Sequence, residues 1–271
     1  MTIYTSAFNL IKGGFEYLSS LDNFNKFADY VVVACNTSDD DTLKQLKQVA
    51  KVYPNLIIVE CDFSYSNPLL DGKVKNFALQ SAELLTPSQT MIGIDLDEKI
   101  PLNQQDIWRN LGNYLLPEYD SILIPSINLW GDSESVRWDE KKNRAYKWYL
   151  HRKGFNRGPF YGGLKEDGYL DITKSDGTEL IDIGGNLTRS IRIDGHLDHI
   201  TNGEEYFAAL VSNNLPYVIH EGYLSLENRI GRNKSFWGEQ WKSCSNDQTI
   251  RVPLTVEELA QYPTIKHNLP I

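Results

Sequence analysis

Cysteine is scarce in this 271-residue chain: Cys35, Cys61 and Cys244 lie far apart and are odd in number. No disulfide framework and no zinc spacing can be built from them, which excludes the small stapled folds. No run of about 18 apolar residues is present, so nothing is expected to span a bilayer. The opening residues, MTIYTSAFNLIKGG, lack the basic start and apolar stretch of a signal peptide, and a cytoplasmic location is expected. Without a secretory signal, the Asn-x-Ser/Thr matches at Asn36, Asn186 and Asn233 carry no glycosylation reading. GxGxxG and GxxxxGK[ST] are both missing, which removes the dinucleotide fingerprint and the Walker loop. No repeat or low-complexity segment occurs. Positive charge is also short: a net −9 argues against general coating of nucleic acid.

What is present is the material of a core, at 41% hydrophobic and 11% aromatic residues. Residues 2–8 alternate and are rich in β-formers, which predicts a first strand. Apolar residues at Phe15, Leu18, Leu21 and Phe24 predict a helix within Asn9–Asp29. YVVVAC is a continuous apolar run, the pattern of a strand buried on both faces. NTSDDDT breaks it, and Thr42–Val52 reads as a helix. NLIIVECDF is a third strand, Lys73–Leu85 a helix with Val74, Phe77, Ala78 and Ala82 on one side, and MIGIDLD a fourth strand. Strands alternating with helices in this way predict parallel βαβ units, with ligands at the carboxyl ends of the strands.

Beyond Pro101 the pattern loosens. Tyr119–Trp130 and Ala145–Arg152 read as strands, Gly154–Gly185 as loops and short strands, Gly203–Asn214 as a helix and LPYVIH as a strand ending at His220. The remainder, with Trp237 and Trp241, reads as helical and then extended.

The fourth strand ends in Asp95, Asp97 and Glu98. Alternation along a strand would put Asp95 and Asp97 on one side and Leu96 on the other. Two carboxylates so close repel unless a cation lies between them, and hard ions such as Mg²⁺ or Mn²⁺ take one or two carboxylates plus substrate phosphates. The competing reading of Asp-x-Asp is a solvated turn.

CNTSDDDT, then GKVKNFALQSA, then IGIDLDE resembles the successive motifs of family 2-type glycosyltransferases of the GT-A fold. Asn9 follows the first strand; Ser38, Asp40 and Thr42 match the turn; Asn76 and Ala82 match the helix; Asp95, Asp97 and Glu98 match the strand end. The resemblance covers residues 1–100 well and 195–225 loosely. It implies a GT-A-like (Rossmann-like) α/β fold with a mostly parallel central sheet flanked by helices and a mixed C-terminal half. One domain spans 1–271, with a nucleotide-sugar-binding half at 1–100 and an acceptor-side half and extension at 101–271. It implies that Phe8, Asn9 and Asp40 hold the nucleoside of a nucleotide-sugar donor with Lys73 near the same pocket, and that Asp95 and Asp97 hold a Mn²⁺ or Mg²⁺ ion on the diphosphate. Asp40 also reads as a helix N-cap with Thr42, and Asn76 and Ala82 read as packing residues.

In the second half the family has an acidic pair opening a helix, then a short strand and a His. Glu204, Glu205 and His220 have that form, which implies a general base and a further metal ligand. The family's pair is usually Glu-Asp; Glu166 and Asp167 carry those letters but sit in a glycine-rich loop. Acidic residues in a first turn are also favourable through the helix dipole alone. His196 and His199 compete with His220 for the metal. The implied activity is sugar transfer to an acceptor hydroxyl with inversion, by a hexosyl- or pentosyltransferase.

From Lys141 to Lys165 there are eight Lys or Arg and no Asp or Glu, so the rest of the chain carries −17 (−9 minus 8). Three readings are open for this stretch: a solvated strand and loop with snorkelling lysines, a contact to donor phosphates or an acidic glycan, or a nucleic-acid surface with Tyr146, Trp148, Tyr149 and Phe155 stacking on bases. The last would make a hydroxylated base in DNA the acceptor. Alternation puts Tyr146, Trp148 and Leu150 on one face as core, which weakens it. Two other classes stand beside the transferase: a sugar-phosphate nucleotidyltransferase, for which IKGG is a poor phosphate loop, and a non-enzymatic carbohydrate- or nucleic-acid-binding protein.

Overall fold

A computed structural model describes residues 1–64, 70–114, 118–138, 145–154, 172–173, 178–183, 186–234, 255–267 and 269. The strands β1 (Thr2–Ala7), β2 (Tyr30–Asn36), β3 (Leu56–Cys61) and β4 (Thr90–Gly93) alternate with helices α1 (Tyr17–Phe27), α2 (Thr42–Val49) and α3 (Leu70–Leu85). They lie parallel in the order β3-β2-β1-β4. The continuous apolar run of β2 is explained by its two faces. Val31 and Val33 pack with Leu21, Phe24 and Phe27 of α1, whereas Val32 and Ala34 pack with Val74, Ala78 and Ala82 of α3. Each of the Val, Leu and Phe side chains, buried from water, contributes about 1.5–3 kcal/mol.

The sheet continues through β8 (Ala145–Arg152), β6 (Ser121–Asn128), β11 (Asn186–Arg192), β10 (Thr178–Ile183) and β9 (Ile172–Thr173). β8 lies between β4 and β6 and is antiparallel to both. The fold is thus mixed α/β with a curled central sheet flanked by helices, parallel in its first four strands and mixed beyond them. Because β8 is central, Leu150 and His151 are both fully buried. His151, which alternation left opposite the core, is therefore core as well. His151 is satisfied there by the Tyr4 hydroxyl at 2.8 Å and the Arg152 carbonyl at 2.9 Å.

Helix α4 (Gln105–Tyr114) places Trp108 in the first core. β5 (Glu98–Lys99), β7 (Ser135–Arg137), α5 (Gly203–Ser212), β12 (Val218–His220), α6 (Leu226–Lys234), α7 (Val256–Ala260) and β13 (Thr264–Lys266) complete the described elements. β12 pairs parallel with β6 and antiparallel with β5, and β13 pairs with β7 in a second, two-stranded sheet. Trp138, Tyr206, Phe207, Tyr217 and Ile219 form a second core that holds α5 and β12. Among the described residues no helix is long and apolar enough to cross a membrane.

Three boundaries differ from expectation. The first helix begins at Tyr17 rather than near Asn9, because Asn9 takes φ +45° and residues 10–14 turn back on themselves through Gly13 N–H to Asn9 C=O at 2.8 Å. Leu18, counted in the expected apolar spacing, is 49% exposed. The second helix ends at Val49 rather than Val52. The fourth strand ends at Gly93, so Asp95 and Asp97 lie in a turn and not on a strand.

Candidate active site

The loops after β1, β2 and β4 lie at the carboxyl ends of parallel strands. β4 and β6 both oppose β8, and β12 parallels β6, so the carboxyl end of β12 reaches the same edge. Two corners form along that edge.

The first corner joins the loop after β1 to the turn after β2. The Asn9 N–H donates to Ser38 Oγ at 3.1 Å, and Asn9 Oδ1 accepts from the Asp39 N–H at 3.0 Å. Thr42 Oγ1 accepts from the Leu10 N–H at 2.9 Å. Asp40 Oδ2 accepts from the Lys12 N–H and Asp40 Oδ1 from the Thr42 N–H, each at 2.9 Å. Asp40 therefore staples both loops, and the N-terminal bond to Thr42 exists alongside any contact to a ligand. Phe8 and Asn9 are half-buried beside it. A positive φ at Asn9 suits an Asn, which tolerates the left-handed region better than most residues.

The second corner is the turn after β4. Asp95 Oδ1 meets Lys75 Nζ at 2.6 Å, and the Asp95 N–H donates to Glu98 Oε2 at 2.8 Å. Glu98 is fully buried, so the third carboxylate of the motif closes the turn. Asp97 Oδ2 lies 3.4 Å from His220 Nε2, and the Asp97 carbonyl accepts from the Glu221 N–H at 2.7 Å. His220 Nδ1 bonds to Asn128 Oδ1, and the Tyr223 ring stands edge-on to the imidazole at 5.7 Å. Tyr223 in turn stacks on Trp130 at 4.3 Å. Gly222 closes over the pair: a Cβ there would come within 2.8 Å of Asp97 Oδ2 and closer still to His220 Nε2. Arg232 of α6 is buried, donates to the Gly222 carbonyl and lies over the Phe15 ring at 4.4 Å. Burial lowers the pKa of its guanidinium, and the charge of Asp97 opposes that shift.

The expected ligands are thus divided. Asp97 and His220 come together, whereas Asp95 is committed to Lys75. Among the described residues no three His, Cys, Asp or Glu side chains converge as a complete metal centre. A carboxylate oxygen and an imidazole nitrogen 3.4 Å apart are nevertheless of the types that could hold a hard or borderline divalent ion completed by phosphate oxygens, and any side chain at Gly222 would collide with both. Lys73 is exposed on α3. Lys75 is buried, in the stripe Lys75, Leu79, Ala82 at helical spacing, and the motifs do not single it out.

Glu204 and Glu205 are exposed in the first turn of α5, where Asn202 Oδ1 caps the Glu205 N–H at 3.0 Å. No hydrogen bond or ion pair among the described residues ties either to Asp97 or His220. α5 is anchored by Tyr206, whose hydroxyl donates to Asp194 at 2.7 Å. His196 and His199 are exposed, with His199 Nδ1 3.1 Å from the His196 carbonyl. Glu166, Asp167, Cys244, Trp237 and Trp241 lie outside the described residues, as does most of the basic stretch 141–165. Its described side chains include Arg152, which pairs with Asp120.

No family model and no curated protein matches the chain. Solved structures similar to it include S. aureus TarS 1–349, at 19% identity and TM-score 0.41 over 61% of this chain and 51% of that one. The same TarS fragment in complex with UDP aligns at 17% and 0.38 over 56% and 46%. The mannosyltransferase PcManGT from Pyrobaculum calidifontis, in complex with GDP-Man and Mn²⁺, aligns at 18% and 0.33 over 48% and 35%. The chain spans about half or less of the length of each.

Proposed function

We propose that this chain is a metal-dependent glycosyltransferase that moves a hexosyl or pentosyl group from a nucleoside-diphosphate donor to an acceptor hydroxyl, with inversion. The observation that carries the reading is the Asp97–His220 pair at the carboxyl edge of the sheet, beside the Asn9–Asp40 corner. The order of motifs from Asn9 to Glu98 supports it independently. In this reading Phe8, Asn9 and Asp40 border the nucleoside. Asp97 and His220 hold the diphosphate end, and Lys75 keeps a positive charge beside Asp95. A Mn²⁺ or Mg²⁺ ion held there would neutralise charge developing on the departing nucleotide.

Glu204 or Glu205 takes the proton of the acceptor hydroxyl as its oxygen bonds to the anomeric carbon. The anomeric C–O bond to the diphosphate breaks, and its electron pair leaves with the nucleotide. The acceptor in this reading is a glycan; a hydroxylated DNA base is the second choice, through the basic stretch 141–165.

The test is a thermal-shift panel of nucleoside diphosphates and nucleotide sugars, with and without Mn²⁺, on wild type and Asp97→Asn. A ligand at 100 times its Kd adds about 2.7 kcal/mol. A Mn²⁺-dependent shift with one nucleotide, lost in Asp97→Asn, is expected. No shift with any nucleotide would sink the reading.

A further inference from the structure

Beyond β6 the chain makes a hairpin: it turns at Gly131, whose φ is +81°, and returns along β7. The Trp130 N–H closes the hairpin by donating to the Ser135 carbonyl at 2.8 Å. The inner side of the hairpin holds the turn that follows His220. The Leu129 N–H donates to the His220 carbonyl and the Gly131 N–H to the Tyr223 carbonyl, both at 3.0 Å. The outer side is clasped by residues 255–267. β13 pairs with β7, the Trp138 N–H donates to the Pro263 carbonyl at 2.9 Å, and Trp130 Nε1–H donates to the Leu259 carbonyl at 3.0 Å. Lys266 Nζ adds exposed pairs to Asp132 at 3.3 Å and Glu134 at 3.4 Å. A column of rings and guanidinium groups runs from this clasp to the site. Arg137 lies over the Tyr262 ring at 4.0 Å and by the Trp130 ring at 5.3 Å. Trp130 is buried and stacks on Tyr223 at 4.3 Å, and Arg229 lies over Tyr223 at 4.3 Å. The Tyr223 ring ends the column, edge-on to the His220 imidazole at 5.7 Å. Stacked and cation–π contacts are directional, so such a column fixes orientation as well as burying area.

We infer that Arg137 and Tyr262 are positioning residues: through Trp130 and Tyr223, the C-terminal segment sets the orientation of the His220 imidazole in the donor site. The donor-binding part of this role rests on the reading proposed above. Arg137 and Tyr262 act through the rings between them and His220. No sequence motif accounts for residues 255–267, and this role makes them a support of the site.

The test uses the full chain with ¹⁵N-labelled histidine, the His220 ring signals being assigned by their loss in His220→Gln. It is paired with titrations of nucleoside diphosphates in Mn²⁺. Tyr262→Leu removes the ring that faces Arg137. It should shift the His220 signals with no ligand present and weaken Mn²⁺-dependent nucleotide binding by about tenfold. Arg137→Met, which keeps an apolar stem, should do the same, so the outcome does not depend on one variant folding. Tyr262→Phe keeps the ring and should hold both readouts at their wild-type values. Lys266→Ala breaks the exposed pairs of the clasp and spares the column, so it should also leave both unchanged. Urea midpoints on the same samples separate lost stability from lost position. Less stable Tyr262→Leu and Arg137→Met proteins with wild-type His220 signals and affinity would overturn the inference. Equal effects from Lys266→Ala would overturn it too, because the coupling would not run through the rings. If wild type binds no nucleotide, the transferase reading fails, and the His220 signals alone decide whether the C-terminal segment positions the imidazole.

Discussion

The two corners of the sheet edge differ in how far along the chain their partners lie. In the Asn9–Asp40 corner every named polar group meets a backbone amide or hydroxyl of the neighbouring loop, all within residues 9–42. In the Asp97–His220 corner a carboxylate and an imidazole from distant parts of the chain come within 3.4 Å, and a glycine lies where a side chain would collide with both. A satisfied corner stabilises the loops it joins. The Asp97–His220 corner depends instead on contacts between elements far apart in the chain, with the charge of the buried Arg232 acting on Asp97.

Substitutions should separate these corners. The largest loss of stability is expected at Lys75, which neutralises Asp95 where both side chains are largely buried. Removing one partner of such a pair leaves a charge poorly solvated. Lys75→Met should lower unfolding stability by about 3 kcal/mol, read from the midpoint of a urea titration. An unchanged midpoint would mean that Asp95 is solvated enough to stand alone.

Gly222→Ala should affect binding more than folding. The added methyl would meet Asp97 and His220, so the Mn²⁺-dependent stabilisation by nucleotide, about 2.7 kcal/mol at 100 times Kd in wild type, should vanish. Retention of the full shift would show that the cation lies elsewhere. Asp40→Ala makes the reverse comparison: two backbone amides lose their acceptor, and stability should fall by about 1–2 kcal/mol even without any ligand. A fall in nucleotide affinity with no change in the unliganded protein would assign Asp40 to the ligand alone.

The parallel half of the fold was legible because its signals are local. The doubly buried run of β2 and the amphipathic helix α3 follow from period and composition. MIGIDLD alternates in letters and so reads as strand to its end, whereas Glu98 draws the chain round at Asp95 by accepting the Asp95 N–H. Lys73 drew attention for its place in the motif, whereas the helix turns Lys75 inward. The insertion of β8 between β4 and β6, and the pairing of Asn128 with His220, are matters of register between distant strands. No period along the chain encodes them.

The smallest expected effect concerns the thiols beneath the first corner. Cys35 ends the buried run of β2, and burial, then the neighbouring Cys61 and Glu60, push its thiol up to about 12. Burial and Asp62 push Cys61 up to about 11. Only the thiolate reacts, and both groups have folded values above the ordinary thiol range, so each stays protonated well past pH 8. In a Cys244→Ser background, labelling by a disulfide reagent at pH 8 should be slow in the folded protein and complete for both cysteines on unfolding. Asp40→Ala should speed it if that carboxylate holds the corner shut. Rapid labelling of the folded Cys244→Ser protein would mean that the corner opens freely, and that its hydrogen bonds do not distinguish it from the Asp97–His220 corner.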